Sequence, residues 1–173
     1  FCMKADSRKN TFAQTSKIVL PNDTNVLGNL MGGQLLNWMD ITAGIAAQRH
    51  SRRVVVTASV NNVSFNQPIK LGDVVTIEAK VSRAFTSSME VFLDVFVDLN
   101  AGGRKRCNEA IYTFVAVDQN GSPIEVPELL PETEQEKERF AGALRRKQLS
   151  LILAGKMNPD KATELKALFN PKT

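Results

Sequence analysis

A chain of 173 residues, 43% hydrophobic and 23% charged, fits one soluble domain with at most an appended tail, and has no apolar run of membrane-spanning length. One histidine and two cysteines are too few for a His/Cys metal site or a disulfide framework. The net charge of +4 sits in short basic clusters at 49–53, 104–106 and 145–147 without a nucleic-acid motif, so solvated element ends are expected rather than a nucleic-acid partner.

Phe1 and Cys2 precede Met3 and read as an expression remnant, with residues 1–10 a flexible N-terminus. No secretory signal pattern follows, and a cytoplasmic protein is expected. Residues 11–20 end in a short strand stopped by Pro21. A loop of turn formers leads through Gly32-Gly33 into an apolar run ending near Gln48, which reads as a helix of about four turns. Its apolar residues occupy most of the circumference, which predicts burial on all sides. Asp40 stands in the middle of that run. A carboxylate there must be paired, hydrogen-bonded or chemically active. His50, in the basic stretch after the helix, reads as a surface residue.

Residues 54–65 are rich in β-branched side chains and predict a long strand, with a bulge at Asn61-Asn62 where the alternation slips. Residues 74–82 alternate, with Val75, Ile77, Ala79 and Val81 on one face. Residues 88–99 and 107–118 complete the strands, and Cys107 reads as a core residue. From Pro131 the chain is charged and helix-favouring, and 160–169 predicts one more short helix. Consecutive strands joined by short turns pair antiparallel, and one apolar helix must be covered by them. The expected fold is α+β: a curved antiparallel sheet around a central helix over 11–126, and a helical extension over 127–173. Phe92 and Phe96 lie among acids on the outer face of 88–99, and the sheet edges are unprotected; both favour an oligomer.

Three pieces of this chain together resemble the hotdog-fold acyl-CoA thioesterases. They are Asp23-Thr24-Asn25, Gly28-Asn29, Gly32-Gly33 and Trp38-Met39-Asp40 in order; SFNQPIKLGDVV at 64–75; and TFVAVDQNG at 113–121. The similar group includes bacterial broad-range enzymes and cytosolic long-chain hydrolases, and the resemblance runs over about residues 17–120. Some relatives carry His before the Gly-Gly pair, where this chain has Met31, so a mechanism needing that His is not available here.

Thioester hydrolysis needs a base for water, donors for the carbonyl oxygen and a slot for the acyl chain. Gly32 and Gly33 open the helix, where backbone N–H groups are unpaired and a ligand can approach closely. The resemblance implies that the Gly33 N–H polarises the thioester carbonyl, with Asn29 as a second polar group, and that Asp40 is the general base. An apolar setting would raise the pKa of such a base. A helical rise puts Asn29 and Asp40 roughly 16 Å apart, too far for one thioester within one chain. The resemblance implies a site shared between two subunits, assembling further to a hexamer. It also implies a CoA groove along Asn66, Arg83, Thr86, Ser87 and Ser88. Trp38, Met39 and Phe65 read either as an apolar wall for an acyl chain or as core packing. Acyl-CoA and CoA are the expected substrate and product; no cofactor or metal and no membrane partner is implied. The alternative is a non-catalytic acyl-CoA or nucleotide-binding sensor on the same fold.

Overall fold

The structure is a computed structural model, whose described residues are 6–7, 11–61, 63, 65 and 67–169. They fall into two units that divide between Leu130 and Pro131. The first unit holds β1 (Asp6–Ser7), β2 (Ala13–Ile18), α1 (Gly32–Ser51), β3 (Val54–Asn61), β4 (Val74–Ala84), β5 (Ser88–Asp98), β6 (Arg104–Val117) and β7 (Leu129–Leu130). Five strands form one sheet in the order β2-β4-β5-β6-β3, every neighbour antiparallel. The expected sheet is therefore present, with β2 and β3 as its edges. A two-residue parallel pairing of β1 with β7 carries no periodicity and was not legible in the sequence.

The alternation in β4 and β5 arises because one face packs on α1. Val75, Ile77, Ala79 and Val81, and across from them Met89, Val91, Leu93 and Val95, are all buried. Opposite them α1 buries Leu35, Trp38, Met39, Ala43, Ala46 and Ala47. Each large side chain so buried contributes roughly 1.5–3 kcal/mol. The small residues let the sheet come close: the Phe114 ring lies 3.7 Å from where a Cβ on Gly44 would stand. Tyr112 donates its hydroxyl to the Leu36 carbonyl at 3.0 Å and ties β6 to the helix. The helix ends at Arg52, in the left-handed region at φ 55°, whose N–H returns to the Gln48 carbonyl.

Four expectations need correction. Burial of α1 is not complete: Asn37, Ile41, Ile45 and Gln48 form an exposed strip, because one sheet covers one side of a helix. The bulge in β3 falls between Thr57 and Ser59, so Thr57 opposite Phe114 and Val60 opposite Tyr112 both face the helix side; Asn62 is outside the described residues. His50 is buried, with its Nε2 2.7 Å from the Pro127 carbonyl oxygen. The basic pair Arg104 and Arg106 is not simply solvated. Arg104 binds Glu78 at 2.6 Å and lies 4.0 Å from the Phe96 ring centroid, and Arg106 binds Asp94 at 2.9 Å. Those pairs neutralise acids on the outer sheet face.

The second unit holds α2 (Glu134–Leu153), a 3-10 turn at Pro159–Lys161 and α3 (Thr163–Phe169). Thr133 and Glu136 form a capping box at the start of α2. Gln148 accepts the Leu165 N–H at 2.9 Å, which joins α3 to α2. No helix among the described residues is long and apolar enough to cross a membrane.

Candidate active site

The loop before α1 is held by its own polar groups. The Oδ1 of Asn25 accepts the N–H groups of Leu27 at 2.9 Å and Asn29 at 3.2 Å. The Asn25 N–H donates to the Asn29 carbonyl at 2.8 Å, and Gly28, at φ 71°, closes the turn onto the Asn25 carbonyl. Asp23 accepts from the Gln34 side chain at 3.0 Å, and its carbonyl accepts the Met31 N–H. This small cage pins the loop to the first turn of α1. It also fixes the Asn25 carboxamide: two N–H donors identify the oxygen, so the Nδ2 hydrogens point the other way.

Gly32 and Gly33 open α1, where N–H groups have no carbonyl of their own helix to bind and the helix dipole is positive. The Phe65 ring lies on Gly32, 3.2 Å from where a Cβ would stand, while Gly33 faces open space. Asn25, Asn29, Gly32, Leu35, Phe65 and Cys107 line a cavity of about 330 Å³ beside this helix end. Burial pushes the Cys107 thiol pKa up, and its Sγ donates to the Val95 carbonyl at 3.4 Å. Such a thiol is a wall, not a nucleophile.

Asp40 lies at mid-helix, half-buried, with its Oδ1 accepting the Thr57 hydroxyl at 2.7 Å. Thr57 comes from the edge strand β3, and sequence reasoning did not single it out. Gly32 and Asp40 are eight residues apart on one helix, roughly 12 Å along its axis. Within one chain the donor pole at the helix start and the carboxylate at its middle are separate.

Arg83, Thr86, Ser87 and Ser88 lie on and beside the turn between β4 and β5. The Arg83 guanidinium is 5.5 Å from the Phe85 ring centroid, and the carbonyls of Ser87 and Thr86 accept from Ala116 and Val126. Ser88 pairs with Val115, and Val115 with Val56, the neighbour of Thr57. The hairpin therefore ends at the same level of the sheet as Asp40 and Thr57, about 10 Å across two strand spacings. A groove of about 760 Å³, lined by Arg52, Arg53, Val117 and Asn120 among others, opens at that end. Asn66 is outside the described residues. No cluster of three metal-binding side chains occurs among the described residues.

Residues 27–100 match the thioesterase superfamily. The chain is 39% identical over 169 residues to the uncharacterized acyl-CoA thioester hydrolase YkhA of Bacillus subtilis, covering 90% of this chain and 98% of that protein. It is 41% identical over 148 residues to acyl-coenzyme A thioesterase 11 of Mus musculus, covering 85% of this chain but only 25% of that longer protein. A hexameric acyl-CoA thioesterase solved without ligand superposes with a TM-score of 0.83 at 35% identity, over 88% of this chain and 98% of that one. An acyl-CoA hydrolase of Staphylococcus aureus, solved with butyryl coenzyme A, coenzyme A and coenzyme A disulfide, gives 0.81 at 34% identity, over 88% and 95%. The S. aureus structures include alanine variants of one Asn, of an Asp fifteen residues further on, and of a Thr seventeen beyond that. Asn25, Asp40 and Thr57 stand at the same two spacings here. The curved sheet around α1, the loop-and-helix motif and these matches together make the chain a member of the hotdog-fold acyl-CoA thioesterases, within the thioesterase superfamily.

Proposed function

We propose that this protein hydrolyses acyl-CoA thioesters to a carboxylic acid and CoA, at a site that two subunits share. The observation that carries the reading is the Asp40–Thr57 pair, at spacings from Asn25 that match three residues studied as variants in the S. aureus relative. Thr57 donates to one oxygen of Asp40 and leaves the other to accept a proton from water. The water oxygen attacks the thioester carbonyl carbon as its proton passes to Asp40. Charge then develops on the carbonyl oxygen, which needs donors set in advance. The Asn25 Nδ2 and the Gly33 N–H supply them, and Asn29 and Gly32 hold that pole in shape. The carbon–sulfur bond breaks, the CoA thiolate takes up the proton held by Asp40, which restores the carboxylate, and the acid is released.

The donors belong to one subunit and Asp40 to the other, since about 12 Å of helix separates the poles within a chain. The hexameric relative supports pairs assembling to a hexamer. Phe65 faces the acyl chain. The anionic nucleotide end of CoA lies along Asn66, Arg83 and Thr86–Ser88. Water and protein groups suffice, so no cofactor enters this reading.

The test is thiol release from an acyl-CoA series of increasing chain length, with wild type beside Asp40→Asn. Turnover by the wild type is expected, with a loss of about 10³-fold or more in the variant and CoA binding retained. Binding without turnover in the wild type would make the protein an acyl-CoA sensor instead.

A further inference from the structure

Val26 and Leu27, next to Asn25 at the tip of the loop, are 102% and 78% exposed. Singly exposed apolar residues are ordinary, but two adjacent ones held out in water by a rigid turn form a contiguous apolar tip that needs an explanation. The turn is rigid: four hydrogen bonds among Asn25, Leu27, Gly28 and Asn29 define it. Elsewhere on the same chain, Ile41 follows Asp40 on α1, Ile45 lies one turn beyond Ile41, and Val60 shares the helix-facing side of β3 with Thr57; they are 52%, 38% and 42% exposed. The bulge in β3 is what turns Val60 to this side. One surface is thus a polar amide flanked by apolar side chains on a tip. The other is a polar carboxylate–hydroxyl pair flanked by apolar side chains on a wall.

We infer that Val26 and Leu27 seat the loop tip on the Ile41, Ile45 and Val60 wall of a second copy of this chain, and so act as positioning residues that bring Asn25 to that copy's Asp40. The occupant of the wall is the same chain, because the chemistry of each pole is incomplete without the other and both are apolar where they would meet. This rests on the shared-site reading and adds to it a device that sets the geometry. Burying two such side chains supplies attraction without a competing hydrogen bond, and the fixed turn carries Asn25 with it.

Co-expressed chains with distinct tags test it. Pairs of one Asn25→Ala chain and one Asp40→Asn chain contain one intact site and one doubly broken site. A random mixture of them should recover about a quarter of wild-type turnover if the poles come from different subunits. Val26→Ser/Leu27→Ser is then placed on one chain or the other. On the Asp40→Asn chain, which supplies the working Asn25, it should cut the recovered rate at least tenfold. On the Asn25→Ala chain, whose tip reaches the dead site, it should leave the recovered rate unchanged. Each arm removes the same number of apolar tips per pair, so a general loss of assembly lowers both equally, and equal loss overturns the inference. Equal retention in both arms overturns it as well. No recovery in the parent mixture would instead defeat the shared-site reading on which it rests.

Discussion

Tyr112 is the only tyrosine in the chain, so phenolate absorbance reports it alone. Burial, and then the nearby charge of Asp40, push its pKa from 10 up to about 12. The cause is local: a phenolate would lose its water and face the Leu36 carbonyl that the hydroxyl now donates to. Below pH 10 the folded and unfolded chains both keep the proton. Between pH 10 and about 12 the unfolded chain releases it and the folded chain does not, so stability falls as pH rises, by on the order of 2–3 kcal/mol. A denaturation series across that range should show the loss, and Tyr112→Phe should remove this pH dependence while lowering stability at neutral pH by about 1 kcal/mol. An Asp40→Asn background should shift the absorbance titration to lower pH, because one of its two causes is gone. Asn25 shows the limit of reading at this scale. Asn is a turn former as well as an amide donor, so composition alone does not separate Asn25 from Asn22 or Asn29. The bonds to its Oδ1 show Asn25 as a turn former, and it is the 25–40–57 spacing that singles it out for the proposed donor role.

At the scale of elements, the strands were legible because one buried face forces a period of two. Val75 to Val81 and Met89 to Val95 are apolar and buried at every second position, although Thr76 and Glu90 between them are buried too. The bulge in β3 was legible only as a slip in that period, and its position was not, since Ala58 interrupts nothing apolar. The end of α1 misled for a different reason. His50 follows a polar run, and its burial depends on the segment reaching Pro127, which lies 77 residues away in sequence. That bond joins the last turn of α1 to the chain before β7, and a histidine there also suits the negative end of the helix. Replacing His50 with Ala removes the donor and leaves a void beside the part-buried Pro127 carbonyl. The expected cost is roughly 2–4 kcal/mol, read as a lowered urea midpoint with an unchanged slope. His50→Gln, which keeps a donor, should lose less than half of that. A surface histidine would show neither effect.

For the whole molecule, the bare parts of one chain decide what it must assemble into. Among the described residues the sheet ends at β3, with no strand on its outer side. α1, which packs beside β3, exposes Ile41 and Ile45, so a backbone edge and an apolar helix strip border the uncovered face. The sequence hinted at this through an all-apolar helix whose predicted complete burial one chain does not supply; the exposed strip is the surface that the proposed second copy covers. Val60→Lys tests the consequence. It puts a charge into the apolar wall at a helix-facing position of β3 that is 42% exposed in the single chain, so that chain should fold with unchanged circular dichroism. A buried unpaired ammonium is costly enough to prevent pairing there. Sedimentation should give the single-chain mass, and if two subunits share the site as proposed, thioester hydrolysis should fall by about 100-fold or more. Ile45→Lys, on the helix side of the border, should behave alike; agreement between the two separates loss of assembly from local damage to β3. A monomeric variant with full turnover would mean that one chain completes the site alone, and the roughly 12 Å between its poles along α1 would have to be closed by a movement of the loop.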